Sequence, residues 1–280
     1  MKEYAYLFDV DGPADELGTE SWWREEQITA RVGKMAYRTK TIKAGPRLEA
    51  HIYPIFGRED QKKARAARSQ MTSEKMQMYN LERAKEHLIR LADANFTAED
   101  IHITLTYSSP PSFEQCRKDV KNYVDKVKRR RKREGLPELK YIYTIEDNES
   151  GRKKRIHVHM LMSGGISREE LEEMWANGYA NADRLQPDRS GLEAIARYIT
   201  KAQKNRRKWA ASRNLKQPSV RTSNTKISNR RVKRIALSIE NEAKEITEKI
   251  YQGYDFVRCR VSYSEIVDGA YIRVLMRRRC

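Results

Sequence analysis

The sequence predicts an α+β fold in which helices flank a central antiparallel sheet, and three observations carry that expectation. Ile101-His102-Ile103-Thr104-Leu105-Thr106-Tyr107 alternates apolar and polar residues strictly, the period of a strand. Tyr141–Glu146 and Arg155–Met162 are strand-like runs joined by the polar loop Asp147–Lys154, so they pair as an antiparallel hairpin. Capping boxes, Ser112 with Gln115 and Ser167 with Glu170, open amphipathic helices between these strands and beyond them.

The elements follow in order. Residues 1–34 are acidic, contain Gly12-Pro13 and Trp22-Trp23, and differ in composition from all that follows; Met35 is a credible alternative start, so this segment reads as an appendage. Residues 35–95 form an N-terminal hairpin and helix. Thr39, Thr41 and Ile42, then Ile52, Tyr53 and Ile55, flank the turn Gly45-Pro46, and residues 59–94 are helical. In that helix Met71, Met76, Tyr79, Leu88, Ile89 and Leu91 form a stripe read as core packing.

Residues 96–217 form the central domain. After its first strand, Pro110-Pro111 breaks the chain. Phe113, Cys116, Val120, Tyr123, Val124 and Val127 then trace a helical stripe, closed at Gly135 after the run Lys128–Arg133. A second helix from Ser167 carries Leu171, Met174 and Trp175 and stops at Gly178. A third follows Ser190-Gly191, with Leu192, Ile195, Ile199 and Ala202 on its buried face. Residues 218–280 hold a basic helix, about Asn229–Ile250, and strands at Phe256–Tyr263 and Ala270–Met276.

Charge narrows the partner. The chain carries 57 Lys+Arg against 39 Asp+Glu, a net +18. Residues 1–34 hold four basic and eight acidic residues, so the rest carries +22. Such an excess points to a polyanion such as nucleic acid. There is no long basic amphipathic helix backed by apolar aromatics, which disfavours a membrane surface. Cys116, Cys259 and Cys280 form no CxxC pair, so neither a disulfide framework nor a cysteine zinc site is expected. With no apolar span and no leader pattern, the expected location is the cytoplasm.

The chemistry-bearing signal is His157-Val158-His159. Alternate strand residues share a face, so both imidazoles point one way while Ile156, Val158, Met160 and Met162 point into a core. Two imidazoles on one face suit a divalent metal. Glu146 sits across the predicted hairpin from His157 and completes a three-ligand set that leaves positions open, as a catalytic ion needs. Opposite faces of the three central strands are apolar, so one side of the sheet should pack on helices and the other present the site. Downstream, Tyr198 and Lys201 lie three apart on one helix face, a nucleophile with a neighbouring ammonium. Beyond them Arg206, Arg207, Trp209, Arg213 and Lys216 are candidates for DNA contact, with Trp209 able to stack on an unpaired base or to pack as core. His102 shares the site face but reads as structural, and His51 and His87 show no role. The Lys128–Arg133 run reads equally as a solvated helix end and as a backbone contact.

Ile101–Tyr107 (IHITLTY), Glu146, His157–His159 (HVH) and Tyr198–Lys201 (YITK) resemble, in order, the motifs of HUH endonucleases. Within that superfamily the arrangement resembles rolling-circle replication initiators (Rep proteins) of small plasmids and filamentous-type phages, over about Ile101–Pro218. The resemblance implies a ferredoxin-like sheet with the histidines on a central strand. It also implies a nick in single-stranded or melted origin DNA, a 5′-phosphotyrosine link, a free 3′-OH and later strand rejoining. By matching motif, His157 and His159 bind Mg²⁺ or Mn²⁺, Glu146 is the third ligand, Tyr198 is the nucleophile and Lys201 assists. One motif tyrosine, in place of the YxxxY pair of some phage initiators, leaves the terminating nucleophile open. There is no GxxxxGK[ST] loop, so a host helicase and DNA polymerase are expected partners, and a homo-oligomer is allowed. The alternatives are a single-tyrosine transposase, a relaxase, disfavoured because its tyrosine usually precedes the histidines, and a non-catalytic DNA-binding repressor.

Overall fold

The structure, a computed structural model, describes residues 32–33, 35–69, 73–148, 155–200, 209–263 and 269–279. It is α+β, with two antiparallel five-stranded sheets and several helices, consistent with a ferredoxin-like α+β domain. The chain divides into two compact units, residues 83–217 and residues 1–82 with 218–280.

The first unit joins both ends of the chain in one sheet. Strands β1 (Tyr37–Ala44) and β2 (Arg47–Pro54) form the predicted hairpin around Gly45-Pro46, where Gly45 takes φ 58°, a conformation glycine adopts without strain. Strand β2 then pairs with β10 (Ala270–Arg278), which pairs with β9 (Tyr254–Tyr263), while β8 (Ser219–Ser223) adds to the far edge of β1. Helices α6 (Asn229–Leu237) and α7 (Ile239–Ile250) break at Ser238 in place of one continuous helix. Val232, Ile235, Ala236, Ala243 and Ile246 on these helices bury one face of the sheet against Leu48, Ala50, Ile52, Ile272 and Val274.

Helices α1 (Arg58–Ser69) and α2 (Ser73–Asn95) divide the predicted helical stretch. The methionine stripe is not core: Met76 and Tyr79 are half-buried, whereas Leu88, Ile89, Leu91 and Ala92 at the other end of α2 are buried. Met71 lies outside the described residues.

The second unit carries the central sheet, in the order β6 (Gly178–Arg184), β3 (Ile101–Tyr107), β5 (Arg155–Met162), β4 (Tyr141–Asn148), β7 (Trp209–Ala211). One face meets α3 (Phe113–Arg133) and α4 (Arg168–Glu173). Ile103, Leu105, Ile145, Val158 and Met160 pack there on Cys116, Val120, Tyr123, Val127 and Leu171. Ser112 Oγ accepts from the Gln115 backbone N–H at 3.2 Å and Ser167 Oγ accepts from Glu170 at 3.2 Å, each cap contributing about 1 kcal/mol. The Gln115 side chain turns instead to Asp119, so the first box is closed from one side only.

Gly178 does not stop a helix. Helix α4 ends at Glu173, and Gly178 opens β6, where a Cβ would stand 2.4 Å from the Thr106 carbonyl oxygen. A side chain there would force the edge strand off β3.

The other face is half covered, contrary to the expectation that it stands open. Ile142 and Leu161 are fully buried and pack on Leu88, Ala92 and Phe96 from α2 and its end, and on Leu192, Ala196 and Ile199 around α5 (Glu193–Thr200). That apolar half fixes α5 on the sheet and leaves the polar half beside it.

Candidate active site

Register builds the site. Directly opposed residues of antiparallel strands share a face, so the pairings define rows across the sheet. The first row runs Tyr179, Thr106, His157, Glu146. The second runs Asn181, Thr104, His159, Thr144, Trp209. The third, Asp183, His102, Leu161, Ile142, Ala211, is where the polar surface gives way to core.

Each histidine is oriented by the threonine beside it. Thr106 Oγ1 lies 3.1 Å from His157 Nδ1, and Thr104 Oγ1 lies 3.1 Å from His159 Nδ1. With Nδ1 engaged on both rings, Nε2 is the nitrogen each presents to the face, the arrangement that ligand histidines need from their surroundings. Glu146 is the register partner of His157, but its carboxylate turns diagonally: Oε2 lies 3.2 Å from His159 Nε2. Neighbouring donors of an octahedral ion with bonds of about 2.1 Å stand about 3 Å apart, so this pair already has the spacing of two ligands.

No group of three or more His, Cys, Asp and Glu among the described residues meets the geometry of a preformed metal cage. The donor chemistry nonetheless fits a divalent ion. Thr144 Oγ1 and His102 Nε2, both buried beside His159, have no partner, so the pocket is polar beyond what protein groups satisfy.

His159 is only 4% exposed, and burial pushes its pKa below the usual histidine value against the opposing pull of Glu146. The ring is therefore neutral near pH 7, the form that ligates. His102 stacks on it, with centroids 5.6 Å apart and planes 17° from parallel. Burial pushes His102 down to about 4, the neighbouring His159 adds to this, and Asp183 opposes it.

A histidine depressed from 6.5 to about 4 is neutral when folded and protonated when unfolded between those values. Its contribution is full above pH 6.5 and is lost as pH falls towards 4. In chelator, urea unfolding of the wild type between pH 7 and 4.5 is expected to lose about 2.5 kcal/mol more than that of His102→Leu. Equal pH dependences would show that His102 is not buried in this way.

Tyr198 arrives from α5. Leu192, Ala196, Ile199 and Thr200 bury one face of that helix, and Ile195 lies half-buried on its flank. Asp93, buried near the end of α2, accepts from the Leu192 N–H at 3.0 Å and tethers the start of α5. The opposite flank brings Tyr198 edge-on to His159, with ring centroids 5.4 Å apart at 72°. Tyr198 is 58% exposed, so substrate can reach its hydroxyl. Strand, hairpin and helix thus bring His157, His159, Glu146 and Tyr198 together.

Lys201, Arg206 and Arg207 lie outside the described residues. Trp209 is half-buried on β7 at the site-face end of the second row, packs at the margin of the α2–α5 core, and lies 6.3 Å from the His87 ring. Arg213 is exposed; Lys216 is exposed and held by its backbone, which exchanges hydrogen bonds with the Asn95 side chain. Tyr179 escaped the sequence reading. It is 68% exposed at the end of the first row, and β6 gives little strand signal because only Ala180 and Ala182 point inward.

Residues 100–203 match the family model of the ORF2-type replication-associated proteins, which supports a replication-initiator role. The matched stretch contains β3 to α5, with Glu146, both histidines and Tyr198. No curated protein and no solved structure matches the chain.

Proposed function

We propose that the protein initiates rolling-circle replication as an HUH-type endonuclease and strand transferase, nicking single-stranded or melted origin DNA with Tyr198. The observation that carries this reading is the edge-on contact between Tyr198 and His159, which puts an exposed phenol beside a pair of oriented imidazoles.

In this reading the Tyr198 oxygen attacks the scissile phosphorus as its proton leaves to solvent. The P–O3′ bond breaks, the 3′ oxygen takes up a proton, and the 5′ phosphate stays on the tyrosine. The number of phosphoester bonds is unchanged, so a 3′-OH can later reverse the step and rejoin a strand. His157, His159 and Glu146 would hold Mg²⁺ or Mn²⁺, which when bound polarises the phosphate and offsets its developing charge. Thr104 and Thr106 hold the imidazole planes, and the α2–α5 core holds Tyr198 over them. Lys201, a few residues past Tyr198, would add positive charge near the phosphate. Tyr179 and Trp209, at opposite ends of the two rows, offer rings for unpaired bases flanking the nick. Arg206, Arg207, Arg213 and Lys216 supply backbone contacts. Unwinding and synthesis then fall to a host helicase and polymerase.

The test is a denaturing gel of purified protein with labelled single-stranded DNA spanning its own origin region. An SDS-resistant protein–DNA adduct is expected with Mn²⁺ and none with chelator. No adduct in Mn²⁺ would replace this reading with that of a non-catalytic DNA binder.

A further inference from the structure

A second surface lies on the other side of the central sheet. Between α3 and the end of α4 is a groove of about 760 Å³ lined by Lys126, Arg129, Arg130, Lys132, Arg133 and Met174. Five of its six lining residues are cations and none is aromatic. The cations at 126, 129, 130 and 133 recur at helical spacing and so form one ridge about 10 Å long. Arg130 is spoken for: it bridges Glu134 and Glu170, each at 2.6 Å, and ties α3 to α4. Lys126 donates to the Met174 carbonyl at 3.3 Å. Arg129, Lys132 and Arg133 are exposed, and no ion pair among the described residues engages them. Past Arg129 the surface turns acidic at Asp119 and Asp125, which bounds the positive stretch.

Helix α3 packs on the face that receives Val158 and Met160, and α5 packs on the face opposite. The strand being cut at Tyr198 therefore cannot occupy the groove at the same position. Cations without rings suit phosphates rather than splayed bases.

We propose that this groove binds the phosphate backbone of duplex DNA flanking the nicked strand, a sequence-independent anchor on the side of the sheet away from Tyr198. The inference rests on the reading of the protein as a DNA-nicking initiator.

The experiment titrates a fluorescent duplex of arbitrary sequence with the full chain and with the triple variant Arg129→Gln, Lys132→Gln, Arg133→Gln, across a range of salt. Three lost phosphate contacts should flatten the log–log salt slope by about 2.7, so that between 50 and 200 mM salt the wild type loses about 40-fold more affinity than the variant. Adduct formation on single-stranded DNA should be unchanged. Equal slopes and affinities, with adduct formation intact, would overturn the groove proposal and leave the nicking reading standing. A flattened slope in a protein whose wild type forms no adduct would support the groove and sink the nicking reading. Equal slopes on DNA, with loss of polyglutamate binding by the variant, would overturn the proposal in favour of an acidic protein partner.

Discussion

Tyr198→Phe is expected to lower covalent adduct formation by at least about 10⁴-fold, because the nucleophilic oxygen is removed outright. Binding to single-stranded DNA should change less than about threefold, within about 0.7 kcal/mol. The phenylalanine ring keeps the edge-on contact with His159, and the buried side of α5 is untouched. Fold and loss of function are therefore separable: the variant should unfold at the same urea midpoint. Adduct formation at wild-type rates would move the nucleophile elsewhere, and Tyr179, exposed on the same face, would be the next residue to replace.

Arg131→Leu should cost about 3–5 kcal/mol of stability, the scale of breaking a buried charged network. Arg131 belongs to the basic run that ends α3, yet it is only 4% exposed. Its Nε donates to the Pro137 carbonyl at 2.9 Å, and one terminal nitrogen donates to Ser163 at 3.3 Å and to Gly164 at 2.6 Å. The guanidinium thus joins the end of α3 to the end of the histidine strand. Burial lowers its pKa, while Asp100 and Glu134 pull the other way. Leucine would leave three carbonyls short of a donor in a site with little water. Lysine would restore only part of the loss, since an ammonium cannot reproduce the planar fork. Arg133→Leu, two residues on and exposed, should stay within about 0.5 kcal/mol. Urea midpoints of the three variants decide the matter, and a shift for Arg131→Leu as small as that for Arg133→Leu would remove the clamp.

That contrast shows where sequence reasoning stops. Within Lys128–Arg133 all six side chains read as cations at a helix end. Only the docking of α3 on the sheet turns Arg131 inward to the Pro137 and Gly164 carbonyls and leaves its neighbours lining a groove. The methionine stripe of α2 misled for the same reason: periodicity marks a face, and only tertiary contacts show how much of it is covered.

The strand around the histidines was legible because two properties agree there. Alternation put His157 and His159 on one face and Val158 on the other, and the short polar loop dictated an antiparallel partner carrying Glu146. The helices announced themselves through capping serines, whose bonds depend on residues three apart. These are local interactions, and a chain states them directly. Strands β6, β7 and β8 were not legible, because GYANADR, WAA and SVRTS hold too little apolar alternation and owe their extended form to the neighbour they pair with. The division of the second sheet face between core and site was equally hidden, since Ile142 and Glu146 alternate alike and differ only in what α2 and α5 cover. Local periodicity and capping thus determined the elements and the residues able to do chemistry. Long-range packing decided that the Glu146 carboxylate turns to His159 and that Tyr198 lies over it, because those contacts join segments whose separation no local rule spans.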